Sequence, residues 1–390
     1  MFDFLSDLAR NYPESGIRKM FTLAAGRKDV INLCNGEPNF DTPGFIIESC
    51  VQALRDNRTR YGSESGLTAL KEAVAQKYTR QFGRSFSPSD VMVSAGGVEG
   101  VMMSLMAVIN PGDEVIVPDP AYVCYEGQIR LLGGKVVRVP LREEYAFRLQ
   151  PEDLSAAITD QTKAVILNYP SNPVGAVLDS QDAERLAEVI LKHNIIVISD
   201  EVYEKIIFDG RTHFSIAQVP GMEERVIVIN SFSKTYAMTG WRLGYMVSSN
   251  RQIMSVISKM QQPLIACLPV FIMQAGADAL NGPQDAVDQM LAHYTRRRDL
   301  MIRGLSQIRG FKVFKTEGTF CVYINVKEYP MASEELAVSI LDHAGVLTVP
   351  GTAFGAGSEG YLRMCFANSD DQIIEGIQRI KSFLGGNGHE

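Results

Sequence analysis

Short apolar runs and longer amphipathic stretches alternate through the middle of this chain. DVMVSA (90–95), EVIVPD (114–119), KVVRVP (135–140), AVILNYP (164–170), IIVISDE (195–201) and RVIVINS (225–231) are rich in β-branched residues and almost continuously apolar. Such runs predict strands covered on both faces. Between several of them lie stretches of helical period, among them GVEGVMMSLMAVIN and SQDAERLAEVILKHN. This is the rhythm of βαβ units, and it predicts an α/β fold around a large, mostly parallel sheet.

From about residue 283 the texture changes. A long charged helix candidate, AVDQMLAHYTRRRDLMIRGLSQI, is followed by alternating pieces, FKVFKT, TFCVYINV and YLRMCF, which predict a smaller α+β domain. The expected organisation is an N-terminal segment, 1–44, that joins the small domain and the active site, then a large α/β domain, 45–282, and a small C-terminal α+β domain, 283–390. No repeat, low-complexity tract or long linker interrupts it.

Composition narrows the class. A chain of 390 residues can bury a large core and suits two domains at roughly 100–200 residues each. The net charge of −7 and the lack of a long Lys/Arg run argue against nucleic acid as a partner and for small molecules. No apolar run reaches the ~18 residues of a membrane span, and acids in MFDFLSDLARNYPESG stand where a signal peptide needs an apolar centre. The expectation is a cytoplasmic protein without a membrane partner. Cys34, Cys50, Cys124, Cys267, Cys321 and Cys365 are scattered, with no CxxC pair and no His at ligand spacing, so they read as reduced packing residues and no metal is expected.

Open α/β sheets bind ligands beyond the carboxyl ends of their strands. The first predicted strand leads into Gly96, Gly97 and a helix start, which is either a phosphate cradle or a tight turn. The second leads into Asp119, Pro120, Ala121 and Tyr122, whose ring covers a ligand or packs a loop. After AVILNYP, Pro173 and Gly175 force a turn, and the Asn172 amide faces a ligand or caps that turn. The fifth delivers Asp200, Glu201 and Tyr203, and a buried acid at that point needs a positive partner. The last opens into SFSKTYAMTGWRLGY, where Ser231, Ser233 and Arg242 suit a phosphate and Lys234 lies between them. A lysine enclosed near an arginine should lose basicity and become a nucleophilic amine.

Together these groups suit a flat, phosphorylated aldehyde with a ring nitrogen, and pyridoxal phosphate is that molecule. A lysine forms its Schiff base, and an acid, here Asp200, keeps the ring nitrogen protonated so that the ring serves as an electron sink.

The chain resembles the class I/II aminotransferases of fold type I, in the branch of bacterial and archaeal aromatic and aspartate aminotransferases. The resemblance runs nearly end to end, through GIRKMFTLAAGRKDVINLCNGEPNFDTP, YGSESGLTALKEAVA, SAGGVEG, PDPAYVCYEGQIRLLGG, YPSNPVGAVL, SDEVYEKI, SFSKTYAMTGWRLGY and VLTVPGTAFGAGSEGYLRMCFANSD. It implies that Lys234 holds the cofactor and later moves a proton between Cα and C4′. It places Asp200 at the pyridine nitrogen, Tyr203 and Asn172 at the phenolic oxygen and Tyr122 on the ring face. The phosphate falls to the backbone at Gly97 and Val98, to Ser231, Ser233 and Arg242, and to Tyr61 reaching across from a second subunit, which implies a homodimer. Arg363 in YLRMCFA pairs with the substrate α-carboxylate, and Gly36 in NGEP lines the same site. Two positions depart from the pattern: Val174 stands where many relatives carry Thr, and Cys321 where they often carry an aromatic residue, which bears on the side-chain pocket.

The implied activity is ping-pong transfer of the amino group of an L-amino acid, aromatic-preferring or broad, to a 2-oxo acid such as 2-oxoglutarate. A carbon–sulfur β-lyase would use the same lysine. A nicotinamide dehydrogenase is imitated by Ala95-Gly96-Gly97-Val98-Glu99-Gly100, which lacks the first glycine of a dinucleotide fingerprint and leaves SFSK unexplained. A binding protein that merely keeps the fold would not need every reactive position filled. Arg18, Lys19 and Arg27 are candidates for a distal carboxylate, with solvated surface charge as the alternative.

Overall fold

The structure, a computed structural model, describes residues 4–10, 12 and 15–386; the outermost ends of the two terminal segments lie outside them. Seven strands form the large sheet: β1 (Val91–Ser94), β2 (Glu114–Asp119), β3 (Lys135–Pro140), β4 (Thr162–Asn168), β5 (Ile196–Asp200), β6 (Val226–Ser231) and β7 (Gly244–Val247). Their order is β1-β7-β6-β5-β4-β2-β3, and all run parallel except β7, which is antiparallel to both of its neighbours. β2 and β3 have the bounds expected from the apolar pattern. β7 was not expected, because Gly-Tyr-Met-Val is too short to show a period and follows directly on a polar loop.

The continuous apolar runs divide by the two-residue repeat of a strand. In β6, Val226 and Val228 join one core cluster while Ile227 and Ile229 join the other. The same split sends Val165 and Leu167 of β4 to one face and Ala164 and Ile166 to the other. Helix Gly97–Val108 covers the second face with Val101 and Leu105; helix Ser180–Ile190 covers the first with Ala183, Leu186 and Ile190. Each of the Val, Leu and Ile side chains among these contributes about 1.5–3 kcal/mol by burial. The Asp179 side chain caps the second helix by accepting the Asp182 N–H at 2.8 Å, a contact of the kind worth about 1 kcal/mol.

The C-terminal part builds a separate antiparallel sheet in the order Val349–Pro350, Tyr361–Cys365, Cys321–Asn325, Lys312–Val313. The charged helix expected after residue 283 runs over Asp285–Leu305. Ile31–Asn32 pairs in parallel with Val346–Leu347, so the N-terminal segment is tied to this C-terminal part. Among the described residues, no helix is long and apolar enough to cross a membrane.

Candidate active site

The carboxyl ends of β1, β2, β4, β5 and β6 converge on a cavity of about 350 Å³. Gly36, Gly97, Val98, Tyr122, Asn172, Asp200, Tyr203, Ser231, Ser233, Lys234, Arg242 and Arg363 all line it. Tyr61 does not; it is 91% exposed on the same chain's surface. Arg18, Lys19 and Arg27 are also absent from the lining. Lys19 pairs with Glu334 and Arg27 with Asp342, both on helix Ser333–Ala344.

β1 ends in a turn through Gly96, at φ 84°, into helix Gly97–Val108. A Cβ at Gly96 would stand 2.6 Å from Arg242 Nη2, so only glycine lets the guanidinium lie across the helix start. Arg242 itself donates to the carbonyls of Thr239, at 2.8 Å, and Ala95, at 3.1 Å. Ser231 Oγ bonds Ser233 Oγ at 2.9 Å and Leu243 O at 3.1 Å. First-turn N–H groups without intrahelical acceptors, two hydroxyls and a guanidinium thus gather where no acid pairs with them, a donor set for a phosphate.

Asp200 closes β5 and is 5% exposed. Its oxygens accept from Tyr125 Oη at 2.6 Å and from the Val202 N–H at 3.3 Å, and among the described residues no cation pairs with it. Burial pushes its carboxyl up to about 6, against the pull of those two donors. Arg363, 3% exposed, has the opposite want. Its Nη1 reaches Asn172 Oδ1 at 3.3 Å and its Nη2 reaches Cys34 O at 2.6 Å, while among the described residues its Nε has no partner and no carboxylate pairs with it.

Lys234 Nζ donates to Gly36 O at 2.5 Å. Its amine is lowered to about 8, chiefly by burial; the arginine that adds to this is Arg363, not Arg242 as the sequence suggested, while Cys321, Cys365 and Glu37 oppose it. Tyr203 stands edge-on to Phe320, 5.3 Å between ring centres, and Tyr122 edge-on to Tyr125 at 5.6 Å.

A cavity with a phosphate donor set, a buried carboxylate lacking a cation and a buried guanidinium lacking an anion fits pyridoxal phosphate and an amino acid carboxylate. Among the lining residues that sequence reasoning missed, three support the functional groups. Tyr125 lies three residues after Tyr122 and supports Asp200. Asn168 donates to Asp200 O at 3.0 Å and accepts the Asn172 N–H at 2.9 Å. Gln128 donates to Val98 O at 2.7 Å and fixes the helix start. Tyr125 follows Tyr122 by one helical turn and Asn168 precedes Asn172 by four, the only signals available.

Cys34, Cys321 and Cys365 are buried free thiols. They come together beside Arg363, with Cys321 Sγ 3.2 Å from Cys365 Sγ, because three distant segments meet there.

The family model described as aminotransferase class I and II matches residues 28–380. An aspartate aminotransferase of Pyrococcus abyssi is 42% identical over 95% of both chains, and an aromatic-amino-acid aminotransferase 2 of Thermococcus litoralis is 37% identical over 97% of this chain and 98% of its own. The crystal structure of an aromatic aminotransferase from Pyrococcus horikoshii superposes with a TM-score of 0.89 at 39% identity, covering 95% of this chain and 99% of the other.

Proposed function

The chain belongs to the class I and II aminotransferases, pyridoxal-phosphate enzymes of fold type I that transfer amino groups, and we propose that its donor is an aromatic or broadly chosen L-amino acid and its acceptor a 2-oxo acid such as 2-oxoglutarate, used in a ping-pong cycle. Names of both kinds, aspartate and aromatic, among its relatives support a broad range. The observation that carries the reading is the unmatched pair, Asp200 without a cation and Arg363 without an anion, facing one cavity with Lys234.

Bound there, pyridoxal phosphate supplies an aldehyde for the amine and a protonated ring that draws electrons from Cα. Ser231, Ser233, Arg242 and the N–H groups of Gly97 and Val98 hold the phosphate. Asp200 keeps a proton at the ring nitrogen, and Tyr125 and the Val202 N–H orient it. Asn172 and Tyr203 would hold the phenolic oxygen, and Tyr122 would pack on the ring, all three lining the cavity. Arg363 would fork onto the α-carboxylate of an amino acid, in the same cavity as Lys234. Lys234 Nζ, whose amine burial lowers to about 8, would be the base that takes the Cα proton and gives it back. Gly36 brings only its carbonyl to that amine, and no side chain of its own crowds the substrate.

Within the same proposal, residues 45–282 form the large domain and 1–44 with 283–390 the small one. The active unit is a homodimer in which the exposed Tyr61 reaches the partner's phosphate site. We place it in the cytoplasm, where its six free thiols suit the reducing conditions.

The test is the half-reaction. The purified protein, loaded with pyridoxal phosphate, is mixed with single L-amino acids and no acceptor, and its absorbance and the 2-oxo acid formed are followed. One oxo acid per site, fastest with aromatic donors, is the expected result. A spectrum that never acquires a cofactor band overturns the reading, and pyruvate with ammonia from cystathionine moves it to the β-lyase.

A further inference from the structure

Behind the cavity wall, next to Arg363, lies a feature that amino-group transfer does not use. Cys321 and Cys365 are direct partners in the antiparallel pair formed by strands Cys321–Asn325 and Tyr361–Cys365. Phe366 N donates to Phe320 O across them, which makes theirs a non-hydrogen-bonded position, the kind in which side chains lie closest and Cα atoms are about 4.5 Å apart. That spacing falls within the roughly 4.4–6.8 Å that a disulfide spans. The two sulfurs already stand 3.2 Å apart. We propose that Cys321 and Cys365 form a reversible dithiol–disulfide pair, oxidised by a peroxide, beneath the carboxylate subsite.

The environment favours the reaction. Burial raises the Cys365 thiol, but the Cys321 S–H bond and the charges of Arg363 and Lys234 outweigh it and favour the thiolate. Cys34, whose carbonyl Cys365 touches at 3.8 Å, lines the cavity, which places the pair directly behind the cavity wall. The Cys365 sulfur attacks one peroxide oxygen and the O–O bond breaks, releasing water and leaving a sulfenic acid. The Cys321 sulfur then displaces its hydroxyl as a second water. Two thiols lose two electrons and two protons in all, and one peroxide becomes two waters.

The consequence for catalysis rests on the reading of Arg363 given above; the bond itself does not. Arg363 lies two residues from Cys365 on the same strand face, and both lie against the Cys34 carbonyl, Cys365 Sγ at 3.8 Å and Arg363 Nη2, which donates to it, at 2.6 Å. Closing the sulfurs to about 2 Å draws Cys365 away from that carbonyl and shifts the guanidinium that receives the substrate.

The holoenzyme is treated with hydrogen peroxide, unfolded, alkylated and digested without reduction for mass spectrometry, with kinetics run in parallel. The expected result is a peptide pair linked through Cys321 and Cys365, with KM for the amino donor raised ~10-fold while kcat changes less. Dithiothreitol reverses both, and Cys321→Ser or Cys365→Ser abolishes the link and the reversible response. Recovery of both residues as alkylated thiols, under peroxide that oxidises the more exposed Cys50 and Cys124, overturns the proposal, as does oxidation that dithiothreitol cannot reverse. Should either variant fail to fold, the wild-type peptides decide alone. A link that forms without any change in KM upholds the pair and counts instead against Arg363 as the carboxylate clamp.

Discussion

Ser231 separates two buried lysine–carboxylate centres. On one side Lys77 and Glu204 line a cavity of about 150 Å³; on the other Lys234 and Asp200 line the cavity of about 350 Å³. In the first, burial works against both charges, yet Glu204 and Tyr245 hold the Lys77 amine above its ordinary range, and Lys77 and His213 hold Glu204 below its own. The two side chains are in direct contact, and Lys77 also donates to Tyr245 Oη at 2.8 Å. In the second, burial wins: the Asp200 carboxyl is raised to about 6 and the Lys234 amine lowered to about 8. A buried charge that is already matched holds the fold together. One left unmatched is held ready for a ligand.

Exchanging the lysines makes the largest break. Lys234→Ala removes the group that moves the Cα proton, and turnover should fall by ~10²–10⁴-fold or more while the cofactor still binds noncovalently. Its folding stability should hardly change. Lys77→Ala should do the reverse, losing about 3–5 kcal/mol because buried Glu204 loses its direct ion-pair partner. Single-turnover kinetics and denaturant midpoints read the two axes, and wild-type turnover in Lys234→Ala would sink the contrast.

The carboxylates sharpen it through pH. The folded-state value of Asp200, about 6, lies above the ordinary ~3.9, so between these the folded protein holds more protons than the unfolded chain. Stability of the cofactor-free protein should therefore fall as pH rises from ~4 to ~6, by about 3 kcal/mol for this group, and Asp200→Asn should flatten that slope. Glu204 has the opposite sign. Its lowered value means a contribution complete above the ordinary ~4.3 and lost as pH falls below it, so Glu204→Gln should destabilise at neutral pH. Denaturant midpoints across pH, without and with pyridoxal phosphate, check both. An Asp200 slope that persists in Asp200→Asn would refute the assignment.

Buried arginines repeat the pattern at smaller scale. Arg298 forks onto Asp209 at 2.8 and 3.0 Å, whereas Arg363 has no acid. Arg363→Lys should raise KM for the amino donor ~10–100-fold by replacing a fork with a point charge. Arg298→Lys should leave KM alone and cost stability.

How much of this the sequence shows depends on how local the cause is. Strands such as Glu114–Asp119 announce themselves because burial on both faces leaves an apolar run with polar ends, and the chemistry of an α/β sheet sits at those ends. Ser231, Lys234 and Asp200 were legible for that reason. The matched centre was not, because Lys77 and Glu204 lie 127 residues apart and meet only through packing of helix Thr68–Phe82 against the sheet. The cysteine pair was hidden for the same reason, its members being 44 residues apart on strands too short to show a register. β7 shows the limit from the other side: four buried residues carry no period at all.

The finest test lies in the two tyrosines that attend these centres. Tyr125 gives its hydroxyl proton to Asp200 Oδ2 at 2.6 Å, while Tyr245 Oη accepts from Lys77. A hydrogen bond to a charged group is worth about 1.5–3 kcal/mol, and Tyr125→Phe removes one of the two donors that oppose the burial of Asp200. The carboxyl should then titrate above its present value of about 6, so the acid limb of cofactor binding moves to higher pH. Affinity for pyridoxal phosphate at neutral pH should weaken by ~10-fold, the low end of that bond's worth. Tyr245→Phe should lower folding stability and leave cofactor affinity as it was, since its partner is already neutralised by Glu204. Equilibrium titration of the apoproteins with pyridoxal phosphate at several pH values decides it. If Tyr125→Phe binds as the wild type does across that range, the Asp200 carboxylate draws its charge from elsewhere in the cavity, and the division into matched and waiting charges fails at its smallest member.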